Sequence, residues 1–166
     1  MAGAFDRLVA AMDGAMVAVT VAARGEVDGC LVGFHSQCSI DPPRYAVWLS
    51  RANRTHELAG AATHLAVHLL PAGQWGLAAL LGGTTGDEVD KLAAIPWEVG
   101  PGGVPLLDPL PSRFVGEIAE RVTGDGRGDH DLFVLDVVSA EGPPASPLRL
   151  SEVSDLEPGH DASDPR

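Results

Sequence analysis

Short apolar segments separated by glycine and proline constrain the fold of this chain more than any other feature of its sequence. Residues 16–23, 30–40 and 45–49 are apolar or β-branched runs, and turn residues or an Asp-Pro-Pro sequence separate one run from the next. Proline lacks a backbone donor and restricts the residue before it, so Asp-Pro-Pro ends a strand. The sequence therefore predicts a hairpin over residues 16–40 and a third strand at 45–49.

The rest of the chain continues this pattern of short elements. Further strands are predicted at 64–70, 113–122 and 132–138. Helical spacing or composition predicts short helices at 5–12, 55–62 and 74–81. The last strand is apolar throughout, which favours a central place in a sheet. Glycine and proline exclude regular structure from 100–111, although Leu106 and Leu107 are expected to anchor this loop in the core. These elements favour a mainly β fold, a closed or nearly closed antiparallel barrel with short peripheral helices.

Composition and charge limit the domain organisation and the partners. A chain of 166 residues with 45% hydrophobic content fits one domain, predicted at 1–152. Residues 153–166 are acidic and contain few apolar side chains, so they are predicted to form a disordered tail outside the site. A net charge of -12 disfavours binding to nucleic acid or to an anionic membrane.

The apolar run at 15–23 and the two cysteines bear on localisation. No basic cluster precedes that run, and it is too short to span a bilayer, so a cytoplasmic protein is expected. Cys30 and Cys38 form neither a CxxC pair nor a disulfide framework, and both are predicted to be reduced and buried. No metal site is expected, because His64 and His68 lie on a predicted strand rather than on a helix.

Four sequence blocks carry a resemblance to a known family. Residues 28–43 read D-G-C-L-V-G-F-H-S-Q-C-S-I-D-P-P, and residues 50–56 read S-R-A-N-R-T-H. Residues 86–92 read G-D-E-V-D-K-L, and residues 128–133 read G-D-H-D-L-F. In this order the blocks resemble the signatures of the flavin reductase-like, FMN-binding split-barrel family. The resemblance implies a split β-barrel of Greek-key type, a homodimer, and an NAD(P)H-dependent flavin reductase that passes hydride from nicotinamide to the flavin.

The resemblance also implies a set of cofactor-binding residues. Glycine would let the backbone approach the planar flavin ring, short polar side chains would bond its edge, and a helix N-terminus would attract the phosphate. The implied residues are Gly33, Phe34, His35, Ser36, Gln37, Cys38, Ser39, Ser50, Asn53, Arg54, Thr55, His56 and Lys91. The cofactor would be FMN or FAD, with NADH or NADPH as co-substrate, and reduced flavin could pass to a partner monooxygenase.

Two residues of the later blocks have implied roles and simpler alternatives. The resemblance places the imidazole of His130 on the nicotinamide side of the flavin as the catalytic group, with Asp129 or Asp131 orienting it. Otherwise His130 is a turn residue bonded to a backbone carbonyl. Lys91 would close the mouth of the site or meet a phosphate; otherwise it is a solvated lysine paired with Asp87.

Departures from the family pattern keep other functions open. Leu31, Gly33 and Phe34 stand where the family commonly has threonine and two serines, His35 replaces a phenylalanine, and Leu135 replaces a glycine. Leu135 is expected to narrow the pocket. A non-catalytic flavin carrier, a split barrel adapted to haem or a deazaflavin, and a domain without a cofactor are the alternatives.

Overall fold

A seven-stranded antiparallel sheet dominates the computed structural model, which describes residues 2–84, 89–124 and 128–159. The strand order is β2-β1-β5-β8-β9-β4-β3. The strands are β1 (Val17–Ala23), β2 (Glu26–Val32), β3 (His35–Ser39), β4 (Arg44–Ser50), β5 (His64–Leu69), β8 (Arg113–Val122) and β9 (His130–Glu141). A separate hairpin joins β6 (Trp97–Val99) and β7 (Pro105–Leu107). The prediction of a mainly β, antiparallel split barrel is confirmed.

Three α-helices lie around the sheet: α1 (Ala2–Met12), α2 (Arg54–Ala59) and α3 (Trp75–Gly82). Asn53 caps α2, since its side chain accepts a hydrogen bond from the Thr55 amide at 3.1 Å. The three predicted helices form, with ends that differ by a few residues from those expected.

The two edges of the sheet are adjacent in the chain, and this gives the barrel its split. Strands β2 and β3 lie at opposite ends of the strand order, yet only Gly33 and Phe34 separate them. The sequence predicted one strand over 30–40, and the structure breaks it at these two residues. Because a strongly twisted sheet curls on itself, its edges meet there. The Trp48 amide donates to the Phe34 carbonyl at 2.9 Å and fixes this corner against β4.

The barrel core contains the inward faces of the central strands. Strand β9 lies between β8 and β4, as its apolar sequence predicted. Leu135 is fully buried in this core and does not line the cavity described below, so the expectation that it narrows the pocket is wrong. Gly116 on β8 provides the room, because a Cβ at this position would lie 2.5 Å from the Leu135 Cβ.

Regular structure extends into a region that was expected to be irregular. Residues 105–107 form β7, and Leu106 and Leu107 are buried as predicted. Pro105 is the first residue of this strand, where its missing N–H is tolerated. The sequence indicated the burial but not the pairing with β6.

Two smaller predictions need correction. Cys30 is buried, but Cys38 is exposed because it lies on the edge strand β3, whose central residues face outward. Residues 153–159 pack on the domain instead of leaving it: Val153 is buried, and Leu156 is half-buried against the same cluster. These apolar side chains outweigh the acidic composition around them. Residues 160–166 of the predicted tail lie outside the described residues.

Within the described residues, nothing covers the apolar face of helix α1. Phe5, Leu8 and Met12 are 67%, 70% and 73% exposed. In the described part of the chain, no helix combines the length and the apolar character needed to cross a membrane.

Candidate functional site

A cavity of about 340 Å³ lies at the corner where β2 passes into β3. Five of the residues predicted for the site line it: Gly33, Phe34, Ser50, Asn53 and His130. The other lining residues come from β2, β4, the end of α3, the residue before β1, and residues 150–158. They are Met16, Leu31, Val32, Trp48, Leu49, Leu81, Gly82, Leu150, Val153, Leu156 and Pro158. The lining is mostly apolar, with three polar side chains among the predicted residues.

Phe34 and His130 form an aromatic wall of the cavity. Their ring centroids are 5.1 Å apart and the rings are inclined by 55°. Phe34 is 56% exposed, so much of its ring is available to a ligand. Gly33 lies beside Phe34 on the cavity wall, where an added Cβ would make an ordinary contact with Met16, 3.4 Å from its sulfur. The corner between the two sheet edges thus presents a flat aromatic surface beside an imidazole.

The Asp129 carboxylate orients the His130 imidazole. His130 Nδ1 lies 2.7 Å from an oxygen of Asp129, and this hydrogen bond lowers the pKa of the Asp129 carboxyl. Of the two aspartates considered as orienting groups, Asp129 contacts the ring, and Asp131 turns to the other side of β9. An acceptor at Nδ1 favours the tautomer or charge state that carries a proton on this nitrogen.

A buried carboxylate joins β9 to the segment after β4. Asp131 accepts two hydrogen bonds from the Arg51 guanidinium, at 3.0 and 2.8 Å, and one from His56 Nε2 at 2.8 Å. Burial would raise the pKa of Asp131, but the bonds from Arg51, the Gly124 amide and His56 together lower it to about 2. His56 therefore holds Asp131 and does not line the cavity, which corrects its predicted role.

Arg54 is occupied by carboxylates as well. Its guanidinium forms ion pairs of 2.5 Å with Glu57, one turn along α2, and with Glu26 at the start of β2. Hydrogen bonds to Glu57 and Glu26 raise the pKa of Arg54. Arg54 is not among the residues that line the cavity, and its guanidinium is held by these two carboxylates.

Lys91 is buried rather than at the mouth of the site. The residue is 1% exposed, and Nζ lies 3.6 Å from the Asp28 carboxylate. Within the described ranges, Nζ has no hydrogen-bond partner. The Thr55 hydroxyl donates to the same carboxylate at 2.7 Å. Lys91 and Thr55 thus belong to a buried cluster beneath α2, and Asp87, the alternative partner of Lys91, lies outside the described residues.

Cys30 belongs to the same buried region. Burial raises the pKa of the Cys30 thiol to about 11, although the nearby Lys91 ammonium and the Thr55 hydroxyl act in the opposite direction. The thiol therefore stays protonated and unreactive near neutral pH.

The residues after Phe34 do not reach the cavity. His35 points to the opposite face of the strand, where Nδ1 lies 2.7 Å from the Tyr45 hydroxyl and Nε2 2.7 Å from the Ala15 carbonyl. Burial lowers the pKa of His35. Ser36 is exposed, and Gln37, Cys38 and Ser39 line a separate shallow depression. His35–Ser39 were predicted to contact the cofactor, but the structure does not place them in the lining of the cavity.

Sequence reasoning missed two parts of the site. Trp48 was not predicted to line the cavity, although it lies two residues before Ser50 on β4, and side chains two apart on a strand share one face. Val153, Leu156 and Pro158 were placed in a disordered tail; their apolar character within an acidic segment was the available signal.

Comparison with known proteins identifies the family of this chain. The sequence model of the flavin reductase like domain matches residues 10–151. An FMN reductase (NADH), SmoA, from Agrobacterium fabrum is 30% identical over 125 residues, which cover 74% of this chain and 67% of that protein. An FMN reductase (NADH), RutF, from Enterobacter cloacae is 34% identical over 110 residues, which cover 65% of each. The chain thus spans about two thirds of the length of these relatives.

Solved structures agree with the fold. An FMN-binding protein from Thermus thermophilus, with bound 1-cyclohex-2-enone, has a TM-score of 0.70 and 34% identity, covering 76% of this chain and 69% of that one. A flavin reductase domain protein from Arthrobacter has a TM-score of 0.79 and 23% identity, covering 92% of both chains. The second likeness shows the fold alone. With its split barrel, its corner cavity and a family match over most of its length, the chain belongs to the flavin reductase-like family of oxidoreductases.

Proposed function

We propose that this chain is an NADH-dependent FMN reductase. The observation that carries the proposal is the cavity at the split of the barrel, where Phe34, Trp48 and His130 meet Ser50 and Asn53. The relatives SmoA and RutF are named FMN reductase (NADH), which supports FMN and NADH over FAD and NADPH. The FMN-binding neighbour from Thermus thermophilus supports the same cofactor.

The residues present fit a flavin ring better than they fit a doubly charged phosphate. The cavity volume of about 340 Å³ lies in the range of small-molecule sites, and its lining of apolar and aromatic side chains with a few polar groups suits a planar heterocycle. Arg51 and Arg54 are engaged by carboxylates. We therefore expect Ser50 and Asn53 to be the side chains nearest the ribityl phosphate, with the two guanidinium groups acting at longer range.

When bound, FMN would supply the two-electron acceptor for hydride from NADH. The chain's own tasks are to pack the ring, exclude water and orient the nicotinamide. Phe34 and Trp48 would provide the packing, and the apolar walls would exclude water. The imidazole of His130, held by Asp129, would hydrogen-bond the carboxamide of the nicotinamide. This chemistry needs no strong acid or base, which agrees with the mostly apolar lining.

The catalytic role of His130 can be tested by steady-state NADH oxidation with added FMN. We expect His130→Ala to lower the rate by roughly tenfold or more while the Kd for FMN changes little, because the lost hydrogen bond concerns the nicotinamide. His64→Ala is a matched control, since His64 is a partly exposed histidine bonded to Thr63 outside the cavity. Unchanged turnover in His130→Ala would remove the proposed role.

A second candidate is a split barrel that binds a flavin or another flat ligand without turnover. Leu31 and Phe34, which replace polar family residues, both line the cavity and make it more apolar. Such a carrier would hold FMN, a deazaflavin or haem and leave NADH unoxidised. Ligand titration with each compound, beside the NADH assay, separates it from the reductase.

We also propose a homodimer, for which the exposed apolar side chains of Phe5, Leu8 and Met12 are the support. Light scattering should give twice the monomer mass, and Leu8→Glu should shift it toward the monomer. A monomer in the unmodified chain would contradict the proposal.

We further propose a flavin-dependent monooxygenase as the acceptor of reduced FMN. We also propose a cytoplasmic location, which the two unpaired cysteines support.

A further inference from the structure

Residues 150–158, here named the C-terminal segment, form one wall of the cavity. Val153, Leu156 and Pro158 line it, although they lie beyond residue 151, where the family match ends. This wall is therefore a feature of the chain that the family assignment does not cover. These three residues line the cavity together with Leu31 and Leu81, and this places an apolar surface in the same cavity as the polar groups of Ser50, Asn53 and His130.

Hydrogen bonds at both ends hold the C-terminal segment in this place. The Asp13 carboxylate accepts from the Ser151 amide at 2.8 Å and from its hydroxyl at 3.0 Å. At the other end the Gly159 amide donates to the Gly82 carbonyl at 3.0 Å. Between them, Val153 is buried and Leu156 is half-buried. The wall is anchored to α3 and to the residues before β1.

We propose that the C-terminal segment is a binding element of the flavin site, against which the apolar dimethylbenzene edge of the isoalloxazine ring packs. The inference rests on the proposed function. An isoalloxazine has a polar pyrimidine edge and an apolar edge, and the cavity has polar and apolar lining to match. Packing of the apolar edge on Leu156 and Pro158 removes both surfaces from water, which favours binding.

The test is the Kd for FMN, measured by quenching of flavin fluorescence, in variants of the full chain. Leu156→Asp should weaken FMN binding by roughly tenfold or more, because it replaces apolar packing by a charge. Leu77→Asp is the matched control: Leu77 is also half-buried against the same apolar cluster, but it does not line the cavity. Leu77→Asp and the conservative Leu156→Met should keep the Kd within about twofold.

One further measurement and one further variant distinguish a cavity wall that contacts the flavin from a segment that only stabilises the fold. Iodide should quench the residual fluorescence of bound FMN more strongly in Leu156→Asp than in the unmodified chain, because the wall excludes solvent. If Leu156→Asp fails to fold, Pro158→Asp replaces it, since Pro158 is exposed and lines the cavity. We expect this variant to weaken FMN binding by about threefold or more.

The outcomes distinguish the inference from the function on which it rests. If the unmodified chain binds FMN and the Asp variants bind it as tightly as Leu77→Asp does, the C-terminal segment is not part of the site, and the proposed function stands. If the unmodified chain neither binds FMN nor oxidises NADH, both are overturned. Selective loss in Leu156→Asp and Pro158→Asp supports the inference.

Discussion

At the scale of single residues, the buried charges lie beside the cavity rather than in it. The Asp28 carboxylate pairs with the Lys91 ammonium and accepts a hydrogen bond from the Thr55 hydroxyl. Thr55 is the second residue of α2, which begins at Arg54. Neither Lys91 nor Thr55 lines the cavity, but Asn53, which caps the same helix, does. The cluster therefore holds the start of α2 in place. Through it, Lys91 helps to position Asn53 in the cavity wall.

Removal of the Lys91 ammonium tests this reading. We expect Lys91→Met to lower the free energy of unfolding by about 3 kcal/mol, because it leaves the Asp28 carboxylate buried without a cation. The double variant Asp28→Asn/Lys91→Met should recover most of that loss, since it removes both charges together. Urea denaturation of the three proteins measures the effect. A loss below about 0.5 kcal/mol in Lys91→Met would show that the pair contributes little.

At the scale of elements, two similar ion pairs join β9 to β4 or to the residue directly after it, and they differ in burial. Asp131 with Arg51 lies at the cavity end, and Asp136 with Arg44 lies at the other end. The Asp131 side chain is 6% exposed and that of Asp136 is 43% exposed. Only the buried pair also includes His56, so it connects β9, the loop after β4 and α2 around the cavity.

This difference makes Asp136→Ala a control for Asp131→Ala. We expect Asp131→Ala to destabilise the fold by roughly 3 kcal/mol and to weaken FMN binding, because it leaves Arg51 and His56 without their acceptor and loosens Ser50 and Asn53. Asp136→Ala should cost less than about 1 kcal/mol, as an exposed pair does. Thermal unfolding and FMN titration test both; equal effects of the two substitutions would refute the argument.

At the scale of the whole molecule, a buried histidine links stability to pH. His68 is fully buried on β5, and its Nε2 accepts from the Leu107 amide at 3.1 Å. Burial lowers the pKa of His68 to about 4 from the ordinary 6.5. Between these values the unfolded chain binds the proton and the folded chain does not, so stability rises with pH.

The expected loss of unfolding free energy on acidification from pH 7 to pH 4 is about 3 kcal/mol from this residue. The aspartates with lowered pKa, Asp129 and Asp131, contribute only below about pH 4. Denaturant titrations at pH 4 and pH 7 measure the change. His68→Gln, which keeps an acceptor without titrating, should flatten the profile; an equally steep profile would assign the effect to other groups.

Structural features that depend on neighbouring residues could be predicted from the sequence, and features that depend on residues distant in the chain could not. The strands of the main sheet and the central place of β9 follow from local patterns, and they are present. The break at Gly33 and Phe34 depends on how the whole sheet curls. Arg51 is engaged by Asp131, 80 residues away, which no local pattern indicates. Arg54 is engaged by Glu26, 28 residues away, and by Glu57, whose i,i+3 spacing on α2 is a local signal.

The most direct test of the central claim is the bleaching of FMN by NADH under anaerobic conditions, followed by the visible absorbance of the flavin. The account predicts that the folded chain accelerates the bleaching, with NADH and FMN consumed in equal amounts, and that His130→Ala slows it. If FMN stays oxidised at the uncatalysed rate in the presence of the folded chain, the cavity at the split of the barrel is not the site of a reductase.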